Sequence, residues 1–61
     1  MNNLRKIREK LGLSQKKVAE DCGFAQNTFC QYETGVRKMS AQTAIKIAKY
    51  LGVTVEDLYK E

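Results

Sequence analysis

The stretch Leu13-Ser14-Gln15-Lys16-Lys17-Val18-Ala19-Glu20-Asp21-Cys22-Gly23-Phe24-Ala25-Gln26-Asn27-Thr28-Phe29-Cys30-Gln31-Tyr32-Glu33-Thr34-Gly35 decides the fold of this chain. It divides at Gly23 into two short helices, Gln15 to Cys22 and Gln26 to Thr34. Ser14 is placed to cap the first, its hydroxyl accepting from an orphan N–H of the opening turn, worth about 1 kcal/mol. Lys17 at the third helical position leaves the capping box incomplete. Val18, Ala19 and Cys22 supply an apolar edge, and the small Ala19 permits close approach of a neighbour. Gly23 turns the chain through a left-handed conformation without Cβ strain. In the second helix, about 100° per residue puts Phe29 and Tyr32 on one inward face. The opposite face carries Asn27, Cys30, Gln31 and Thr34, with Gln26 at the exposed N-terminal end and Glu33 bordering the buried face. Ala25 stands where an N-cap belongs, and Ala is a poor cap.

Working outward, Gly12, Gly23, Gly35 and Gly52 punctuate the chain into segments of helical length, and no Pro occurs. Upstream, Asn3 to Leu11 aligns Leu4, Ile7 and Leu11 on one helical face, with Arg8 beside it. Arg5, Lys6, Glu9 and Lys10 fall on the solvated side. Downstream, Ala41 to Leu51 follows the cap Ser40. Its core stripe is Ala44, Ile47, Ala48 and Leu51, Ile45 adds apolar bulk, and Lys46 and Lys49 point outward. Val55 to Tyr59 follows Thr54, with Asp57 completing a weaker form of the capping box. Val55 and Leu58 should dock on the core. Only Gly52-Val53-Thr54-Val55 alternates, too short a run for a sheet. The expectation is an all-α fold of five short helices, with residues 1–61 as one domain.

A chain of 61 residues has a small core, since folding at this size buries only about 60% of the unfolded surface. Small domains add staples such as disulfides, metals or a partner subunit. There is no His, and two Cys do not make a zinc site or a disulfide framework. Cys22 reads as a small core hydrophobe and Cys30 as an inert exposed thiol. Self-association is the staple left open. No apolar run approaches the roughly 20 residues of a membrane span, so a cytoplasmic protein is expected. With no His, phosphate loop or paired carboxylates, catalysis is not expected, nor a cofactor, metal or small-molecule ligand. No effector or self-cleavage domain is expected beyond the fifth segment. Eleven Lys and Arg against seven Asp and Glu give a net charge of +4, which tilts toward a polyanionic partner. Lys16 and Lys17 open the first helix of the decisive stretch, and Arg37 and Lys38 follow its second.

Two helices joined by a short Gly-containing turn, the second with short polar side chains at its start, have the form of a helix-turn-helix at about residues 15–34. The second helix of such a unit enters the major groove, where each base pair displays a distinct donor and acceptor pattern. Side-chain amides carry a donor and an acceptor together, so Gln26, Asn27 and Gln31 are the natural base readers. Thr28 can donate to a base or a phosphate, or pack on a thymine methyl. Thr34, nearer the C-terminal end, reaches toward the backbone.

From Leu4 to Leu58 the sequence resembles the lambda-repressor/Cro-like (Xre-type) helix-turn-helix family. The resemblance is carried by Leu4-x-x-Ile7-Arg8, Gly12-Leu13-Ser14-Gln15, Val18-Ala19-Glu20, Gly23 and Tyr32-Glu33-x-Gly35. It continues through Ser40, Ala48-Lys49-x-Leu51-Gly52-Val53 and Asp57-Leu58. It implies a five-helix DNA-binding domain of a bacterial or phage transcription regulator that binds a palindromic double-stranded operator as a homodimer. It implies phosphate contact by Gln15, which would also brace Gln26, and base reading by Gln26, Asn27 and Gln31. Thr34, Arg37 and Lys38 would hold the backbone, with Lys17 turned toward it. Arg8 and Glu33 would form an interhelical ion pair. Ala25 departs from the Ser or Thr usual in the family, which puts the helix cap and one phosphate contact in doubt. Cys30 lies on the groove side, where it touches DNA or does nothing.

Two-fold symmetry would set the two recognition helices about 34 Å apart, in successive major grooves. The expected subunit contact is the C-terminal part, around Val53, Val55, Leu58 and Tyr59. A repressor is the favoured function. The competing one is a protein-interaction or antitoxin-like module whose helix-turn-helix reads little DNA sequence.

Overall fold

The computed structural model describes residues 2–60, with helices α1 (Leu4–Lys10), α2 (Gln15–Cys22), α3 (Gln26–Thr34), α4 (Ala41–Leu51) and α5 (Val55–Tyr59). Hydroxyl caps start three of them. Ser14 Oγ accepts from the Lys17 N–H at 3.0 Å, and Ser40 Oγ from the Thr43 N–H at 3.1 Å. At α5 the box is complete: Thr54 Oγ1 accepts from the Asp57 N–H, and the Asp57 carboxylate accepts from the Thr54 N–H, both at 3.1 Å. These bonds hold the Asp57 carboxyl below its ordinary value. The N-cap of α1, Asn3, makes no side-chain cap bond; Asn2 Oδ1 instead accepts from the Leu4 N–H at 3.0 Å. At α3, Ala25 offers no side-chain cap.

The most deeply buried side chains are Phe29, Leu4, Ile47, Leu58, Val18 and Cys22, contributed by all five helices. Each large apolar side chain taken fully out of water contributes about 1.5–3 kcal/mol. Burial also pushes the Cys22 thiol up, desolvation outweighing the field of Lys46. The stripe Ala44, Ile47, Ala48 and Leu51 on α4 is buried as its spacing requires. Phe24 sits in the α2–α3 turn, its ring edge-on to Tyr32 with centroids 5.6 Å apart. Lys46 of α4 lies over the Phe24 ring, its Nζ 5.4 Å from the centroid. Gly23 has φ 80°, the left-handed backbone the turn demands.

Two sequence expectations, for Leu11 and Leu58, are corrected. Leu11 is not on the core stripe: α1 stops at Lys10, and Leu11 is 51% exposed at its C-cap. Ile45, which the spacing leaves off the α4 core stripe, is exposed as well. Leu58 is 0% exposed, so it is a core residue and has no surface to offer a second subunit. Val53 and Val55 are half-buried against the same core, and of the four residues assigned to the subunit contact only Tyr59 is exposed.

The start of the chain is sewn to α5 and α3. The Asn3 N–H donates to the Leu58 carbonyl at 2.7 Å, and Asn3 Nδ2 to the Asp57 carbonyl at 3.3 Å. Asn2 Nδ2 donates to the Tyr32 carbonyl at 2.8 Å.

Candidate nucleic-acid interface

Helix α3 is amphipathic in the sense its sequence requires. Phe29, Tyr32 and Glu33 are buried, and Gln26, Asn27 and Thr34 are exposed. Thr28, Cys30 and Gln31 are half-buried at the borders. The starts of α2 and α3 converge: Gln15, Gln26, Asn27 and Cys30 line one surface hollow of about 410 Å³. A larger cleft of about 710 Å³ continues past Gln15 and Gln26 to Ser14, Lys16, Arg5 and Lys6. Amide side chains and four cationic or hydroxyl groups therefore share one side of the molecule, an arrangement suited to base edges flanked by phosphates.

Beneath this surface is a buried ionic network. Arg8 Nε and Nη2 both donate to the Glu33 carboxylate, the second at 3.4 Å. Arg8 Nη1 donates to the Leu13 carbonyl at 2.7 Å. The Glu33 side chain is only 2% exposed, and the guanidinium supplies its counter-charge. Gln15 Nε2 adds a further donor to Glu33 Oε1 at 2.8 Å. One network thus ties α1, the α1–α2 turn, α2 and α3 together.

That network gives Gln15 a buried partner, Glu33, beside the Gln26 brace expected of it. A buried carboxylate can only accept hydrogen bonds and is costly to leave under-satisfied. It takes the Gln15 amide nitrogen, and the Gln15 carbonyl oxygen is the end left for the surface hollow. A phosphate contact from Gln15 then requires its second N–H.

The other sequence-nominated residues are placed as follows. Lys17 is exposed and its Nζ lies 3.2 Å from Asp21 Oδ2. Tyr50 of α4 donates its hydroxyl to the same carboxylate oxygen at 2.5 Å. That bond, with Lys17, holds the Asp21 carboxyl below its ordinary range, and it pushes Tyr50 up to about 12. Thr34 Oγ1 donates to the Gln31 carbonyl at 3.3 Å. Arg37 Nε donates to Gln31 Oε1 at 3.0 Å, joining a residue nominated for the backbone to one nominated for bases. Lys38 is exposed, and with Arg37, Met39 and Tyr59 it lines a cleft of about 290 Å³. Sequence reasoning missed Asp21 and Tyr50, which sit 29 residues apart with no local signal. It also missed Val36, 77% exposed beside Arg37.

Among the described residues no group of His, Cys, Asp and Glu is arranged to hold a metal, and no helix is long and apolar enough to cross a membrane.

Comparison with known proteins agrees with this geometry. A family model described as helix-turn-helix (HTH_3) matches residues 4–58. The cryptic phage CTXphi transcriptional repressor RstR of Vibrio cholerae is 32% identical over 60 residues, covering 98% of this chain and 54% of that protein. The chain therefore spans about half the length of that relative. An uncharacterized HTH-type transcriptional regulator of Methanocaldococcus jannaschii is 34% identical, covering 95% of this chain and 88% of that protein. The glutamine–fructose-6-phosphate aminotransferase of the same organism is 34% identical over 58 residues, but the match covers only 5% of that enzyme. The match over residues 4–58, the five helices in order and the α2–turn–α3 unit lead to one conclusion: this chain belongs to the helix-turn-helix family of the Xre/Cro-C1 type.

Proposed function

We propose that the chain is a sequence-specific reader of double-stranded DNA that regulates transcription in the cytoplasm, acting as a repressor bound as a homodimer to a palindromic operator. The observation that carries this reading is the division of α3. Phe29, Tyr32 and Glu33 anchor it, while Gln26 and Asn27 stand exposed at its N-terminal end. The repressor name of the RstR relative supports the direction of regulation. No residue of the chain is proposed to catalyse a reaction; the aminotransferase similarity involves a small fraction of that enzyme.

In this reading Gln26, Asn27, Gln31 and Thr28 contact bases. Gln15, Lys17, Thr34, Arg37 and Lys38 contact the backbone. The subunit contact is proposed around Tyr59, Val53 and Val55, with Leu58 behind them in the core.

Selection of preferred sites from random duplex DNA tests the reading. A two-fold symmetric site is expected, with half-sites about one helical turn apart. Gln26→Ala and Asn27→Ala should remove preference at defined positions, each at about 1–3 kcal/mol. Lys38→Ala should weaken all sequences alike and reduce the salt slope by about one unit. Sedimentation should show a dimer on the operator. If all three variants bind DNA as the parent does, the chain is an interaction module and not a DNA reader.

A further inference from the structure

Gly35 ends α3 with φ 82°, and this left-handed step folds the chain back along the helix. The Arg37 N–H donates to the Gln31 carbonyl at 3.2 Å, and its side chain then reaches the Gln31 amide, Nε to Oε1 at 3.0 Å. Backbone and side chain of Arg37 thus both engage Gln31. The assignment of the amide follows from chemistry: a guanidinium has five donors and no acceptor, so only the amide oxygen can face it. Among the described residues the Gln31 NH2 is the end left without a bond.

We propose that Arg37 is a positioning residue that sets what Gln31 reads, holding its amide so that donors face the DNA. This rests on the DNA-reading function proposed above. An unrestrained glutamine pairs bidentately with adenine, accepting from N6 and donating to N7. Here one lone pair of Oε1 is taken, and the guanidinium beside it disfavours an approaching amino group. With its oxygen engaged by Arg37, Gln31 presents only its N–H groups to the DNA. The base edge that answers them has acceptors only in the major groove, and guanine, with O6 and N7, has two. The pair therefore selects guanine over adenine.

The test uses the full chain and a randomised operator. Gln31→Ala first identifies the position that Gln31 reads. At that position the parent should favour guanine over adenine on the order of 10-fold. Arg37→Ala frees the amide and should bring the two bases within about threefold, at that position alone. Lys38→Ala, which removes a nearby charge without touching Gln31, should lower binding at every site and leave the ratio unchanged. Gln31→Glu keeps an oxygen for Arg37 and turns the outer end into an acceptor, so preference should move to cytosine, whose N4 donates. Adenine preferred by the parent at that position overturns the inference, and so does an unchanged ratio in Arg37→Ala. If Gln31→Ala alters no position while Gln26→Ala does, this inference fails and the DNA-reading function stands. A parent with no base preference anywhere removes both.

Discussion

Replacing Arg8 with Ala should cost more stability than any exposed substitution, because of what it leaves behind. Glu33 is 2% exposed on its side chain and receives two bonds from Arg8 and one from Gln15. Without Arg8 the carboxylate stays buried with the Gln15 amide alone, and the Leu13 carbonyl loses its donor too. Removing one partner of a buried pair costs about 3–5 kcal/mol. A domain of 61 residues is stable by only about 3–9 kcal/mol at the usual 0.05–0.15 kcal/mol per residue. Arg8→Ala should therefore leave a chain near its folding threshold at 25 °C. The double variant Arg8→Met, Glu33→Leu removes both charges and keeps apolar volume. It should lie within about 1 kcal/mol of the parent or above it, since apolar replacement of buried pairs is often neutral or stabilising. Urea titration followed by far-UV circular dichroism, extrapolated linearly to water, measures all three. Equal stabilities for the single and double variants would refute the reasoning, because the cost would not then come from an orphaned carboxylate.

Two further outcomes follow from burial and from charge. Leu58→Ala should destabilise by about 2–5 kcal/mol by opening a core cavity, whereas Tyr59→Ala at the adjacent exposed position should stay within about 0.5 kcal/mol in the monomer; paired urea titrations at low protein concentration check the contrast. Tyr50, raised to about 12 by Asp21, is favoured as the neutral phenol in the folded state, so the stability it lends is complete below its ordinary value of 10.0 and lost as pH rises through about 12. Asp21→Asn should bring its ionisation, followed by phenolate absorbance, back toward the ordinary value.

Much of the fold was legible in the sequence because its signals are local. Ser14, Ser40 and Thr54 mark helix starts within three residues of the N–H groups they cap, and glycines mark the stops. The inward faces of α3 and α4 follow from helical period alone. What escaped the reading depends on contacts across the fold. The i, i+7 spacing that placed Leu11 beside Leu4 holds only while the helix continues, and α1 ends at Lys10. The sequence assigns Leu58 both to the core and to a subunit contact, and only its full burial, a property of the fold, puts it in the core. The resemblance supplied the Arg8–Glu33 pair. The partner that captures Gln15 was a matter of which acceptor most needs a donor, visible only once Glu33 is known to be buried. The Gln31–Arg37 bond depends on the chain reversal at Gly35, which spacing along the sequence does not reveal.

The bonds that join Asn3 to α5 have a topological consequence. They link residues 54 apart in a short chain, so the order of helices closes into a ring. The seam lies between Asn3 and the last turn of α5, and most of the covalent path separates its two sides. Opening the polypeptide elsewhere, in the exposed turn after Gly35, and joining residue 60 to residue 2 through a flexible linker would leave every helix contact available. In such a permuted chain α4, α5 and α1 would become one continuous run of sequence, and the bonds between Asn3 and α5 would become local ones.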